Sequence, residues 1–295
     1  MSRVLLFIML VLSTACDRGK TDFDGEAALG YVRAQLEFGP RVPGSLGHRR
    51  TGDWITSTMR ERADTVIEQR WTHVTAGGDS LPMRNILARI RPDLSDRILY
   101  IAHWDTRPIS DDDPNPARRS LPVPGANDGA SGVALLIALA DALRKTPPSV
   151  GVDLLFVDGE DYGDFGKNQD VLIGSRYFAQ NLPAPDYKPL FGVVWDMIGD
   201  AELGLSQEGH SVQRAPEVVA RVWNRAADLG YSEYFVPRTQ GPITDDHVPL
   251  LDAGLRVIDV IDLDYASHHT PDDTIDKVSS KSLQIVGDVA LSLLR

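Results

Sequence analysis

Cysteine is almost missing from this chain: Cys16 is the only one among 295 residues. An internal disulfide is therefore impossible, and stability must come from packing and from any bound metal. Apolar runs long enough to cross a bilayer are missing too. The run Val4 to Leu12 falls well short of the about 20 residues such a helix needs. Basic charge is in deficit, with 30 Lys and Arg against 42 Asp and Glu and a net charge of -12. No basic face is available for phosphate, which argues against a nucleic-acid partner. Repeats, low-complexity tracts and linkers rich in Pro, Gly or Ser are also lacking, so one domain is expected; a monomer is the expected state.

What is there begins with an export signal over residues 1–16: Arg3, the apolar run, then Ser13, Thr14, Ala15 and Cys16. Small residues directly before a lone cysteine are similar to a bacterial lipobox, although Ser13 stands where such boxes usually carry Leu. Acylation of Cys16 would make a periplasmic or cell-surface lipoprotein, held to the membrane by its lipid alone. Plain cleavage would instead release a soluble secreted protein. Residues 17–25 read as a polar tether, and 26–295 as the folded domain.

Spacing of apolar residues predicts helices over 27–36, 47–62, 131–145, 173–179, 217–229 and 282–294. Strands are predicted over 65–74, 85–90, 98–102, 152–157, 191–195 and 256–261. This alternation implies a single α/β domain with a mixed, mostly parallel sheet flanked by helices on both faces. Ligands of such sheets collect beyond the carboxyl ends of the strands.

Chemistry-bearing residues gather at those ends. His103 and Asp105 follow one predicted strand, Glu160 and Asp161 another, and Asp196 a third; Asp128 precedes a helix and His269 follows the last strand. Singly, each has a plainer reading: Asp128 as a helix cap, Asp196 as a loop carboxylate, His103 as a core histidine, Glu160 and Asp161 as solvated turn residues. Jointly they supply the imidazoles and carboxylates that zinc prefers. Asp105, two residues beyond His103, is positioned to hold the other ring nitrogen. Consecutive side chains diverge, so Asp161 can bind metal while Glu160 faces the open coordination position as the proton-transfer group. His48, His73 and His210 lack such placement and read as surface or core residues.

These motifs resemble the zinc aminopeptidases, whose superfamily also contains the glutaminyl-peptide cyclotransferases. The similarity runs over about residues 26 to 294 and rests on FGPRVPGS (38–45), HWD (103–105), GANDGASG (125–132) and DGED (158–161), together with GSRYFA (174–179), DMIGD (196–200), GPITDDHVPLL (241–251) and HTPDD (269–273). The resemblance implies one or two zinc ions held by His103, Asp128, Asp161, Asp196 and His269, with Glu160 as acid and base. The paired acids of GPITDDHVPLL look like the cyclase branch, in which Asp245 shapes the substrate pocket and Asp196 faces the substrate amine. Asp246, His247, His268 and Phe165 are expected beside the metal or the substrate. Animal cyclases carry Trp where this chain has His268, and their second pocket Trp has no counterpart among Tyr162 to Gly166, where Phe165 is close.

Three readings follow. The favoured one is cyclisation of an amino-terminal glutamine with loss of ammonia. The second is hydrolysis of the first peptide bond, and the third a catalytically inactive peptide-binding module on the same fold. In the first two the partner is a peptide or small protein with a free amino end.

Overall fold

The computed structural model describes residues 21–295; the expected export signal and Cys16 lie outside them. The chain first forms helices α1 (Gly25–Leu36) and α2 (Leu46–Arg60), then strands β1 (Thr65–Val74), β2 (Ser80–Ile90) and β3 (Arg97–His103). Next come α3 (Ala130–Lys145), β4 (Gly151–Val157), α4 (Ile173–Gln180) and β5 (Phe191–Asp196). The remainder runs β6 (Leu205–Gln207), α5 (Gly209–Arg214), α6 (Pro216–Asp228), β7 (Phe235–Thr239), α7 (His247–Asp252), β8 (Val257–Ile261) and α8 (Ser280–Ser292).

Six strands form one sheet in the order β1-β2-β4-β3-β5-β8. Strands β4, β3, β5 and β8 run parallel, and the β1-β2 hairpin joins antiparallel at one edge. The single α/β domain with a mixed, mostly parallel sheet is thus as expected. Alternation along β3 explains the two covering layers: Ile98, Tyr100 and Ala102 enter the core beneath α1, α3 and α8, while Leu99 and Ile101 enter a second core with Phe178 and Leu250. Helix α3 is buried on nearly every face. Its close approach to β5 requires Gly132, where a Cβ would stand 2.2 Å from the Trp195 carbonyl.

Two differences from expectation have physical causes. Residues 21–25, read as tether, are packed: Thr21 binds Asp288 through its backbone N–H (3.1 Å) and hydroxyl (2.7 Å), and Phe23 is buried against Gly287. The short elements β6, α5, β7 and α7 have three to six residues each. They show no usable periodicity and are held by neighbours, as when Glu208 caps α5 at His210 and Ser211. Among the described residues no helix is long and apolar enough to cross a membrane.

Candidate metal centre

Topology brings the sequence-predicted residues to one rim. His103 ends β3 and Asp196 ends β5, Glu160 and Asp161 sit just past β4, Asp128 precedes α3, and His269 lies in the loop after β8. His103 Nε2 is 3.1 Å from both Asp128 Oδ1 and Asp196 Oδ1. His269 Nε2 is 3.3 Å from Asp161 Oδ1 and 3.7 Å from Asp128 Oδ2. Asp128 thus lends one oxygen to each of two trios, His103-Asp128-Asp196 and Asp128-Asp161-His269.

These separations fit a divalent cation. Ligand atoms about 2.1 Å from a tetrahedral zinc stand about 3.4 Å from one another. Hydrogen bonds alone serve the cluster poorly, because a single Nε2 proton on His103 cannot satisfy two carboxylates, and Asp161 Oδ2 is buried without a partner. The plainer reading of Asp128 also fails: Gly129 is the residue at the start of α3, and no side chain caps that helix.

Two further acids pin the turns that carry the cluster. Asp105 accepts from the backbone N–H groups of Glu160 (3.0 Å) and Asp161 (3.2 Å). Its expected contact with His103 Nδ1 is longer, 3.5 Å, so its first task is to hold the Glu160-Asp161 turn. Asp273 does the same for Asn127 (2.8 Å) and Asp128 (3.1 Å), and was not singled out although it closes HTPDD. Arg41, fully buried, donates to the carbonyls of Trp104, Pro124 and Gly125 around the same loops. Met197 and His269 hold positive φ angles of 47° and 48° at the rim itself, local strain that the packing maintains.

The rim opens into a cavity of about 310 Å³ whose walls include Asp128, Glu160, Asp196, Asp245, Phe165 and His268. His268 stacks on His269 at 3.6 Å, and its Nδ1 is 3.2 Å from Asp112 Oδ2. Asp246 and His247, expected beside the metal or the substrate, lie behind this wall instead. Both are fully buried, and His247 Nε2 is 3.1 Å from Glu208 Oε2. The turn after Thr244 sends only Asp245 forward, while α7 carries His247 into the core. Arg107, missed from sequence, donates to Asp161 Oδ1 at 2.7 Å and to Asp111 at 2.6 and 2.7 Å. His48 is a core residue, stacked on Trp104 and 2.8 Å from Asp158.

Burial sets the acid-base character of the site. It lifts the Glu160 carboxyl well above the ordinary range, and the charges of Asp161, Asp245 and Asp246 add to the lift against the pull of His103. Asp245 is pushed up to about 6 by burial and by Asp196. Burial alone would lower His269, but the Asp161 carboxylate beside it wins and raises it to about 9. Glu160 is thus a buried carboxyl with a raised pKa that faces the cavity beside the two trios, an arrangement suited to carrying a proton.

The comparisons agree with this geometry. A crystal structure of glutaminyl cyclase from Porphyromonas gingivalis is 37% identical and superposes with a TM-score of 0.89 over 92% of this chain and 98% of that one. A leucine aminopeptidase precursor from Bacteroides thetaiotaomicron is 33% identical, with a TM-score of 0.90 over 93% and 97%. The glutaminyl-peptide cyclotransferase-like protein of Mus musculus is 27% identical over 79% of this chain, and the match spans 66% of that protein, just under two thirds. Residues 85–294 match the model of peptidase family M28, and with relatives named as glutaminyl cyclases and as zinc exopeptidases the chain belongs to that family.

Proposed function

We propose that the protein is a zinc enzyme acting on the free amino end of peptides, and that it cyclises amino-terminal glutamine to pyroglutamate with release of ammonia. The observation that carries the choice is an asymmetry between the two trios. Asp196 Oδ1 already accepts from the Met197 N–H at 2.8 Å and meets His103 Nε2 at 3.1 Å, so the Asp196 carboxylate has two donors from within the fold, while His103 Nδ1 is left without a hydrogen-bond partner. In the other trio Asp161 Oδ1 accepts from Arg107 at 2.7 Å but Oδ2 has no partner, and Asp128 and His269 of that trio face the cavity together with Glu160 and Asp196. One cation held by Asp128, Asp161 and His269 is the arrangement this supports, and it leaves Asp196 free to face the substrate amine.

A bound zinc ion would polarise the side-chain amide of the substrate. The α-amine then forms a bond to the amide carbon while the bond from that carbon to its nitrogen breaks. Glu160 takes the proton from the attacking amine and delivers it to the departing nitrogen, which leaves as ammonia. Asp196 and Asp245, both on the cavity wall, hold the amine in place. Phe165, Met197 and Ile261 supply apolar walls that keep water from competing.

Hydrolysis of the first peptide bond is the second reading, favoured by the trio His103-Asp128-Asp196, which would admit a second cation. An inactive peptide-binding module on this fold is the third, and the presence of Glu160 in the cavity speaks against it. Purified protein given a glutaminyl peptide and leucyl-anilide separates the three. Ammonia without chain shortening is the expected result, at one zinc per chain. Free leucine with two zinc ions replaces the cyclase with a peptidase, and silence from both substrates with zinc bound leaves the binding module. Export as a lipoprotein through Cys16, or as a soluble secreted protein, belongs to this proposal too; mass analysis of the mature amino terminus decides between them.

A further inference from the structure

The catalytic cavity has a neighbour at Phe165 and Thr244. A second cavity of about 590 Å³ shares both residues as lining, so the two lie side by side with Phe165 and Thr244 at their junction. The walls of the second are the facing sides of α4 and α7, with Leu172, Ala179, Val248 and Pro249 as apolar surface. The charged groups differ between the two. The first cavity is walled by Asp128, Glu160, Asp196 and Asp245 beside His268 and His269, whereas the second carries one cation, Arg176, and one acid, Asp252.

Arg176 is incompletely used by the fold. Its Nη2 donates to Asn168 Oδ1 at 2.5 Å, but its Nε is buried and has no hydrogen-bond partner among the described residues. No carboxylate of those residues lies in ion-pair contact with it. Asp252, the acid across the second cavity, is instead engaged by Arg214 at 2.8 Å. The Nε is closed to solvent, so a ligand would meet the guanidinium at its Nη groups; Nη1 is accessible and has no hydrogen-bond partner among the described residues, and a carboxylate is the acceptor it suits best. Asn168, the residue that orients it, holds φ +53° in the loop that also delivers Phe165, where three non-glycine residues (Asn168, Asp170, Leu172) take left-handed angles. Such strain within one short loop fits a segment built to present side chains to a ligand.

We propose that this second cavity is the binding site for the downstream residues of the peptide substrate, and that Arg176 takes the side-chain carboxylate of a Glu or Asp two to four residues along. The two adjoining cavities then match their ligand at both ends: acids for the cationic amine, a cation for the acid that follows, and apolar walls between. This rests on the peptide-amino-end reading above and names the peptides that the site prefers.

The test uses tetrapeptide amides with a free amino terminus, so that no terminal carboxylate competes, with Glu, Gln or Lys placed in turn at the second, third and fourth positions. Affinity is measured by calorimetry on zinc-loaded Glu160→Gln protein, which separates binding from turnover, and kcat/KM on the native enzyme. At one position Glu is expected to bind about tenfold tighter than Gln, one charge-assisted hydrogen bond's worth, with Lys weaker than both. The preference should shrink with added salt. In Arg176→Gln the Glu to Gln ratio should collapse toward one, with the loss in KM rather than kcat. Equal affinities at all three positions overturn the proposal, as does a Glu preference that survives Arg176→Gln. If no peptide is turned over but Glu peptides still bind tighter through Arg176, the subsite stands and the catalytic reading falls.

Discussion

The two ends of the central sheet bury acids in opposite ways. At the amino-terminal end of β4, Asp153 is fully buried and fully compensated: Arg97 Nε and Tyr187 Oη donate to one oxygen at 2.9 Å each, while Arg89 Nε, at 3.0 Å, and Arg97 Nη2 donate to the other. At the carboxyl-terminal end Glu160, Asp245, Asp246 and Asp259 are buried too, yet among the described residues no arginine or lysine forms an ion pair with them. Arg107 lies close by but serves Asp161 and Asp111, and Arg41 is spent on the carbonyls of Trp104, Pro124 and Gly125. Where buried carboxylates meet arginines their charge is compensated within the fold; where they do not, burial raises their pKa and favours the protonated form.

Removing an acid from each end should break the molecule in different ways. The largest effect is expected for Glu160→Gln, with kcat falling by about 10²- to 10⁴-fold, the usual share of a general acid-base group. Zinc content should be unchanged, and the metal-free protein should melt no lower, because a buried carboxyl crowded by like charges has been neutralised. An active Glu160→Gln enzyme would remove the proton-transfer role.

At the other end the order inverts. Arg97→Met leaves Asp153 with Arg89 and Tyr187 but deprives both of its oxygens of their Arg97 donors. A loss of about 3 kcal/mol is expected, seen as a fall in melting temperature on the order of 10 °C, with kcat of the folded enzyme unchanged. Adding Asp153→Asn should recover part of the loss. If Arg97→Met altered turnover while leaving stability intact, the division of labour between the two ends would be wrong.

How much of this was legible in the sequence follows from the range of each interaction. The six helices α1, α2, α3, α4, α6 and α8 and the six strands of the main sheet were readable because each buries a long periodic face against a neighbour. Elements β6, α5, β7 and α7 were not, since three to six residues carry too little pattern. The five proposed ligands and Glu160 were visible because strand ends are marked by apolar runs that stop at a polar residue, as at His103 and Asp196. What spacing could not give was direction. Asp245 and Asp246 are neighbours, yet one faces the cavity and the other the core. Asp273 and Arg107 act on partners far along the chain, Asp128 and Asp161, and only the fold reveals such contacts.

The acids that hold the turns give a finer test of the comparison. Asp105 is buried like Asp153, but its partners are the N–H groups of Glu160 and Asp161 rather than arginines. Asp105→Asn puts a donor where one of those N–H groups needs an acceptor. Zinc affinity, measured by competition with a chelating dye, is expected to weaken by about 10- to 100-fold, as for other groups that hold metal ligands in place. Unchanged affinity would reduce Asp105 to a packing residue.

The smallest effect expected is the most general, and it concerns the metal-free protein. Asp245 and Asp262 are pushed up to about 6 and Asp273 to about 7, each first by burial and then by a neighbouring acid. A carboxyl that binds its proton more tightly folded than unfolded favours the folded state at low pH, and that advantage drains away between about pH 4 and 7. His269, raised to about 9 by Asp161 despite its burial, acts in the same direction: its contribution is complete below its unfolded pKa and is lost as pH rises through 9. Groups with lowered values, such as Glu208, held near 2 by His247 in spite of burial, have finished titrating by pH 5. The metal-free protein should therefore melt higher at pH 5 than at pH 8, by on the order of 5 °C, against the usual trend of acid destabilisation. Saturating zinc should cancel the slope, because metal replaces the missing protons as the counter-charge and binds more tightly once its ligands are deprotonated. A melting temperature that rises from pH 5 to pH 8 without metal would mean that the carboxyl-terminal acids are compensated after all, and the contrast between the two ends of the sheet would dissolve.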